Sequence, residues 1–364
     1  MTPSLSVVMP VYNEAEHLRE TTDALVAAVE ASPFTPDVVL VDDGSTDGSA
    51  DVVRERLRDR LPLRVLTQAN SGRFDARRAG VEAAAGEWVL LLDGRVRVAR
   101  DALAFVEEKL SPARAVWTSH VEVEADGDPY GIFWKLIAEL AWSDYFADPR
   151  ETSFGSADFD RFPKGTTCLL VPRDVMLDAI HAFDSRYADI RSANDDTPLL
   201  RWIAGRMPIN IAPGFSCVYR PRSTFGAFVR HSVHRGVVFV DGHGRPESRF
   251  FPVVLAFYPV SALLAARALR RPSTLVSAAL ASSSAAAAVG LAKGRTPLEV
   301  ASLALLAPVY GAAHGIGMWR GLALMLAQRA RLRAGASAGD VEEPGFDGGG
   351  DGVPGNGRQP GLES

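Results

Sequence analysis

The 364-residue sequence predicts an α/β fold with a mostly parallel sheet and flanking helices. Three observations carry the prediction. Short apolar runs recur through the first hundred positions: Leu5 to Met9, Val38 to Val41, Leu63 to Leu66 and Trp88 to Leu92. Segments with helical apolar spacing separate them, and such alternation implies parallel pairing through right-handed crossovers. Polar tips follow three of the runs at once, as Pro10-Val11-Tyr12-Asn13, Asp42-Asp43-Gly44-Ser45 and Asp93-Gly94-Arg95. In an open parallel sheet the carboxyl ends of the strands form the edge where ligands bind. An acidic edge points to a ligand read by carboxylates, directly or through a metal. A first turn without a glycine-rich string disfavours a dinucleotide-binding dehydrogenase.

Each element has its own signal. After the first strand, Asn13 is placed to cap a helix, with Glu16 three positions on as in a capping box. Leu18, Leu25, Val26 and Val29 supply that helix with an apolar face. The second run leads through an Asp-rich turn into a helix carrying Val52, Val53 and Leu57. The third leads to Asn70-Ser71-Gly72-Arg73 and a helix that Gly86 would stop. Further on, Phe162-Pro163-Lys164-Gly165-Thr166-Thr167 runs into apolar Cys168 to Val171. Ala193-Asn194-Asp195-Asp196-Thr197-Pro198-Leu199 then precedes a helix holding Leu199, Leu200, Trp202 and Ile203.

Texture divides the chain into residues 1–249, a mixed α/β domain; 250–328, where charges nearly vanish; and 335–364, Gly-rich and acidic with too little apolar material to fold. The last is expected to be disordered. In the middle region Phe250–Leu269, Thr274–Ala292 and Leu298–Met318 are each long enough to cross about 30 Å of hydrocarbon as helices. Pro252 and Pro259 are expected to break the first, and Pro308 to interrupt the third. Together they predict attachment to a membrane. The formal charge of -5 gives no reason for a nucleic-acid partner. Cys168 and Cys217 read as inert, reduced thiols. A strand begins almost at the first residue, so no export signal is expected.

The strings VVMPVYNEAEHL, VDDGSTDGS, NSGRFDARRAG and GEWVLLLDGRV, in this order and at these spacings, resemble family 2 glycosyltransferases with the GT-A fold. They cover about the first hundred residues, and a later match carries the resemblance to roughly residue 220. The resemblance implies that Pro10, Val11 and Tyr12 line a nucleotide base and that Asp43 accepts a hydrogen bond from it. A carboxylate suits the imide N–H of uracil. The competing reading of Asp42 and Asp43 is an Asx turn capping the next helix. Arg77 matches the arginine that reaches the nucleotide, whereas Arg73 and Arg78 read as a solvated helix face. Asp93 matches the first aspartate of the family's DxD motif, whose carboxylates hold Mg²⁺ or Mn²⁺ against the donor diphosphate.

At the second DxD position stands Arg95. Either Asp93 holds the cation with other ligands while Arg95 turns away, or Arg95 itself neutralises the diphosphate. Asp195 and Asp196 resemble the family's Glu-Asp motif, which makes Asp196 the general base with Asp195 in place of the glutamate. The alternative is that Asn194 to Asp196 cap the following helix. His231, His234 and Arg235 fall where related transferases carry basic residues for the donor phosphates. The alternatives there are an interfacial helix whose basic face meets anionic lipid, or a pair of histidine metal ligands.

The chain has no Q-x-x-R-W string, which in the family accompanies processive synthesis. The resulting expectation is an inverting enzyme that moves one sugar from a nucleotide-diphosphate donor, a UDP-sugar, to a hydroxyl of a lipid-linked or cell-envelope glycan. It would sit at the cell membrane with its catalytic domain facing the cytoplasm. The rival is a catalytically impaired partner subunit that binds a nucleotide sugar or glycan within an envelope polysaccharide complex. If all three apolar segments span, Arg329-Ala330-Arg331-Leu332-Arg333 lands outside, against the positive-inside rule. Two spans plus one interfacial or re-entrant helix keep that cluster inside, and this arrangement is favoured.

Overall fold

A computed structural model describes residues 3–339, with side chains through Ala330. The first hundred residues run β1 (Leu5–Val11), α1 (Ala15–Glu30), β2 (Asp37–Asp42), α2 (Ser49–Leu57), β3 (Leu63–Thr67), α3 (Arg73–Ala83), β4 (Trp88–Leu92) and β5 (Val96–Val98). The order continues α4 (Ala102–Lys109), β6 (Val116–Thr118), β7 (His120–Val123), α5 (Pro129–Ala141), α6 (Ser143–Ala147), β8 (Thr152–Phe154), β9 (Cys168–Pro172) and α7 (Arg173–His181). Then come α8 (Thr197–Ala204), β10 (Ile209–Ile211), β11 (Ser216–Tyr219) and four long helices, α9 (Phe225–His243), α10 (Phe251–Arg270), α11 (Ser273–Ala292) and α12 (Pro297–Gly339).

The main sheet has the order β3-β2-β1-β4-β9-β6-β10-β8, and β3, β2, β1 and β4 are parallel as expected. Alternate side chains of these strands enter two cores. Val7, Met9, Leu40 and Leu90 pack with α1, α2 and α4, while Val8, Val39, Val41 and Leu91 pack with α3, α7 and α8. Covering both faces explains why the strands read as unbroken apolar runs. Antiparallel β9 lies between β4 and β6, and antiparallel β8 closes the far edge. A second sheet, β5-β11-β7, sits beside them.

Two local expectations fail for physical reasons. Asn13 does not cap α1: it adopts a left-handed conformation (φ 53°), and its Oδ1 accepts from the Thr46 amide at 2.8 Å. The free amides at the start of α1 find acceptors in the next loop instead, Glu14 N on Ser49 Oγ at 2.9 Å and Ala15 N on Asp47 Oδ2 at 2.9 Å. Gly86 lies beyond the end of α3 and allows a close backbone approach, since a Cβ there would fall 2.6 Å from Ser6 N.

The C-terminal helices are continuous through their prolines. Pro252 sits in the first turn of α10, where its missing N–H is not needed, and Pro259 and Pro308 lie within unbroken α10 and α12. Helix α12 extends to Gly339, so residues 335–339 are helical rather than disordered. The rest of the expected disordered tail, 340–364, lies outside the described residues. Three helices, Phe251–Arg270, Ser273–Ala292 and Pro297–Ala330, are long and apolar enough to cross a membrane. They differ in their surroundings: α10 and α11 are almost wholly exposed, whereas a third of the apolar window of α12 is covered.

The α/β domain covers much of α12, and α10 and α11 also pack against it. Gly236 of α9 and Gly317 of α12 bring the two backbones together, because a Cβ on Gly236 would meet His314 O at 2.0 Å and one on Gly317 would meet Val233 O at 2.0 Å. Small residues permit this approach, as in membrane helix pairs. Near its start, α12 packs Leu303 and Leu306 on Phe133 of α5 and Phe228 of α9, and Ser302 Oγ donates to Pro129 O. Replacing Gly317 with Leu would force the helices apart at a cost of about 1–3 kcal/mol or more. The detergent-purified variant is expected to unfold several degrees lower in a thermal scan, and an unchanged midpoint would show that the crossing is not tightly packed.

Candidate active site

The carboxyl ends of β1, β2 and β4 gather the predicted residues at one edge. Pro10 and Val11 are buried within β1, and Tyr12 is 49% exposed just past its end. Loops β1–α1 and β2–α2 are tied by Asp43 N donating to Val11 O at 2.9 Å and Asn13 N to Ser45 Oγ at 3.1 Å. Asp42 makes the Asx turn, accepting from Ser45 N at 2.8 Å. Asp43 does something else. Its Oδ1 accepts from Gln68 Nε2 at 2.8 Å and Ser71 N at 2.9 Å, and its Oδ2 from Gly72 N at 3.0 Å. Asp43 thereby shapes the turn that starts α3, where Gly72 takes φ 96°. A carboxylate has about four acceptor sites, so Oδ2 keeps capacity for one more donor.

The centre of the site is Arg77, 1% exposed on α3. Its Nη2 donates to Asp93 Oδ1 at 3.0 Å, and its Nη1 donates to Asp195 Oδ2 and to Asp196 Oδ1, the latter at 3.2 Å. The Thr166 hydroxyl also donates to Asp196 Oδ1. One guanidinium thus joins the acid at the tip of β4 to both acids ahead of α8. Burial works against its charge, but Asp195, Asp93 and Asp196 outweigh burial and hold it firmly protonated. Burial pushes the Asp195 carboxyl up despite Arg77 and Arg73. For Asp196 the balance is opposite: burial is overcome by Arg77, Arg73 and Thr166, and the carboxyl stays below its usual range. Asp196 is therefore ionised, the state a general base requires. The Nε of Arg77 is buried and has no acceptor among the described residues.

Capping by the 194–196 run falls to Asn194 alone. Its Oδ1 accepts from Thr197 N at 2.9 Å and Asp196 N at 3.2 Å, which frees both aspartates for Arg77. The segment is held from behind by Asp241 of α9, a fully buried carboxylate that accepts from Ser185 Oγ, Arg186 N and Asn194 N. The Tyr187 hydroxyl adds a bond to Val237 O at 2.8 Å.

Arg95 turns toward Glu14, with Nε 2.6 Å from Oε2 in a side-on contact that misses hydrogen-bond angles. Glu14 also faces Arg222 at 3.7 Å. The pairing cancels much of the repulsion Arg95 would exert on a cation at Asp93. At 4 Å and an effective dielectric of 20 that repulsion alone is about 4 kcal/mol. Asp93 then remains able to offer one hard oxygen ligand, consistent with Mg²⁺-type sites built from one or two carboxylates plus phosphate oxygens. Among the described residues no group of three or more His, Cys, Asp or Glu could hold a metal by itself, and this applies to His231 and His234 too.

Of the three basic residues predicted on α9, only His234 reaches the site. It lines a cavity of about 110 Å³ with Arg73, Phe74, Ile190, Arg191, Ala193 and Asp195. His231 instead packs edge-on against Trp134 at 5.0 Å, and the Arg235 guanidinium lies over the same ring at 5.4 Å. Burial, with nearby arginines, lowers His231 to about 2 and His234 to about 4, so both are neutral. Arg73 is not a bland surface residue: its Nη1 lies 3.9 Å from Asp195 Oδ1. Its position four before Arg77, on the same helical face, was the available signal. Glu14, Thr166 and Asp241 were also missed, and only Asp241, a lone acid directly after Val237-Val238-Phe239-Val240, stood out in sequence.

Residues 6–157 match the family model described as glycosyl transferase family 2. The chain carries a family 2 glycosyltransferase domain. Over 92 residues the chain is 40% identical to an undecaprenyl-phosphate 4-deoxy-4-formamido-L-arabinose transferase of Edwardsiella ictaluri, covering 24% of this chain and 28% of the relative. It is 35% identical over 92 residues to a dodecaprenyl-phosphate galacturonate synthase of Rhizobium johnstonii, covering 25% and 27%. The match thus spans little more than a quarter of these relatives' length. The mannosyltransferase PcManGT from Pyrobaculum calidifontis, solved with GDP-Man and Mn²⁺, superposes with a TM-score of 0.50 at 19% identity over 94% of this chain and 89% of that one. That likeness supports the GT-A-like fold of the glycosyltransferase domain, mostly parallel sheet and flanking helices included.

Removing one member of a buried ionic network leaves the others uncompensated, typically at about 3–5 kcal/mol. Arg77→Met should therefore destabilise the domain by that order at pH 7. Without the guanidinium the folded-state pKa values of Asp195 and Asp196 rise above their unfolded values. The deficit is then largest at neutral pH and shrinks as pH falls through those raised values. Urea unfolding of the variant between pH 5 and 7 checks this, and a deficit independent of pH would mean that the carboxylates do not feel Arg77.

Proposed function

We propose that this domain transfers a single sugar, with inversion, from a nucleotide-diphosphate donor, a UDP-sugar, to a hydroxyl of a lipid-linked or cell-envelope glycan. The observation that carries the reading is the convergence of Asp93, Asp195 and Asp196 on Arg77 at the carboxyl edge of the sheet. The exposed Tyr12 ring offers a surface for the base, and the spare acceptor capacity of Asp43 suits an imide N–H. Arg77 keeps one buried donor, its Nε, without an acceptor among the described residues, which leaves it an N–H for charge on the leaving group. A divalent cation, Mg²⁺ or Mn²⁺, would be held by Asp93 together with diphosphate oxygens and would neutralise charge on the leaving group.

Asp196 takes the proton from the acceptor hydroxyl as that oxygen attacks the anomeric carbon. The bond from that carbon to the nucleotide diphosphate breaks with its electron pair on the leaving oxygen, so one displacement inverts the centre. Arg77 favours charge on the departing diphosphate. Asp195, raised and next to Arg73, positions Arg77 rather than accepting the proton.

The exposed apolar surfaces of α10 and α11 support an acceptor presented at a membrane. The packing of α12 along α9 and α5 favours an interfacial role for α12, leaving α10 and α11 as the inserted pair. That even count keeps Arg329-Ala330-Arg331-Leu332-Arg333 on the same side as the catalytic domain, the cytoplasm under the positive-inside rule. The prenyl-phosphate transferase and synthase named above are consistent with a lipid-linked acceptor.

Asp196→Asn should lower transfer of labelled sugar from a UDP-sugar panel into membrane lipid by about 10²-fold or more. UDP affinity by calorimetry should change little. Undiminished transfer would remove Asp196 from the mechanism.

A further inference from the structure

We propose that the cavity between α3, the 190–195 segment and α9 is a phosphate subsite for the acceptor, taking the phosphate of a lipid carrier. The inference rests on the lipid-linked acceptor reading above and names the group by which such an acceptor is held.

The cavity, about 110 Å³, has room for a few waters and hence for a tetrahedral oxyanion. Its lining is cationic. Arg73 and Arg191 stand at the rim, and the only acid in the lining, Asp195, is already engaged by Arg77. Arg73 sits 3.9 Å from Asp195, too far for a direct hydrogen bond, and is about half exposed. Arg191 is tethered through Nε to Asp189 at 2.9 Å and lies over Gly72, leaving its terminal nitrogens to other acceptors. His234 makes no hydrogen bond among the described residues and, being neutral, has an N–H to give. Arg320 of α12 acts electrostatically on both His234 and Asp189. Guanidinium forks match phosphate oxygens in geometry as well as charge.

Two features favour a lipid phosphate over the donor diphosphate. The cavity is lined by Asp195 and not by Asp93 at the tip of β4. The helix that brings Arg320 also presents Trp319 and Ile316, 44% and 63% exposed, so apolar surface adjoins the charge. An amphiphile with a phosphate head satisfies both surfaces.

The test uses the full chain in detergent, with farnesyl phosphate, farnesol and UDP as probes in calorimetry, on the wild type and on Arg191→Gln, His234→Gln and Arg191→Lys. The wild type should bind farnesyl phosphate at least tenfold tighter than farnesol. Arg191→Gln and His234→Gln should each weaken farnesyl phosphate about tenfold, leave UDP within twofold and keep the wild-type unfolding midpoint, and Arg191→Lys should recover part of the loss. Equal binding of farnesyl phosphate and farnesol would overturn the subsite. Loss of UDP affinity in step with farnesyl phosphate would assign the cavity to the donor and overturn it as well. A wild type that binds farnesyl phosphate but none of UDP, GDP, CDP or dTDP would sink the donor reading while leaving the subsite standing.

Discussion

A single buried guanidinium holds the site together. Arg77 stands on α3, yet its partners come from the end of β4 and from the segment before α8, 16 to 119 residues away in sequence. A charge this deeply buried is tolerable only because three carboxylates surround it. Those carboxylates could not share so small a volume without it. The site therefore has one arrangement available, and the ionised Asp196 and the raised Asp195 are consequences of it. The same balance distinguishes the two aspartates, which sequence alone presents as equals.

A second constraint comes from behind. Asp241 and Val237 of α9 hold the 185–194 segment, and α9 is held in turn by the glycine crossing with α12. The chain of contact runs from a helix with an exposed apolar face to the loop that carries Asp196, the proposed general base. Attachment to a lipid surface would fix the orientation of α12, and through α9 the position of Asp196 relative to whatever reaches it from that surface. The cationic cavity beside His234 lies along this line.

Much of this was legible in sequence because buried parallel strands write themselves as apolar runs, and because the acidic tips follow them directly. Asp93, Arg77, Asp195 and Asp196 were all singled out, although nothing in the sequence indicated that the three acids would meet on the one arginine. The direction of β9 was not legible: an apolar run encodes burial but not hydrogen-bond polarity. Asn13 misled because a residue suited to capping is equally suited to a left-handed turn, and the Ser49 and Asp47 acceptors that replaced it lie more than thirty residues away. Pro259 and Pro308 misled because a helix in apolar surroundings keeps going through a proline when neighbouring packing holds it. The partner of Arg95 was hidden for a different reason. Glu14 lies in the first loop, and only the sheet order brings it opposite β4.

The central claim is that Arg77 and the acids form one coupled network joining the two halves of the sheet. A double-mutant cycle between Arg77→Met and Asp195→Asn, read by urea unfolding through tryptophan fluorescence at pH 7, measures that coupling directly. The account predicts an interaction energy of about 2–3 kcal/mol, at the upper end for residues in one ionic network. Additivity within about 0.5 kcal/mol would contradict it, because independent side chains could not then be holding one another in place.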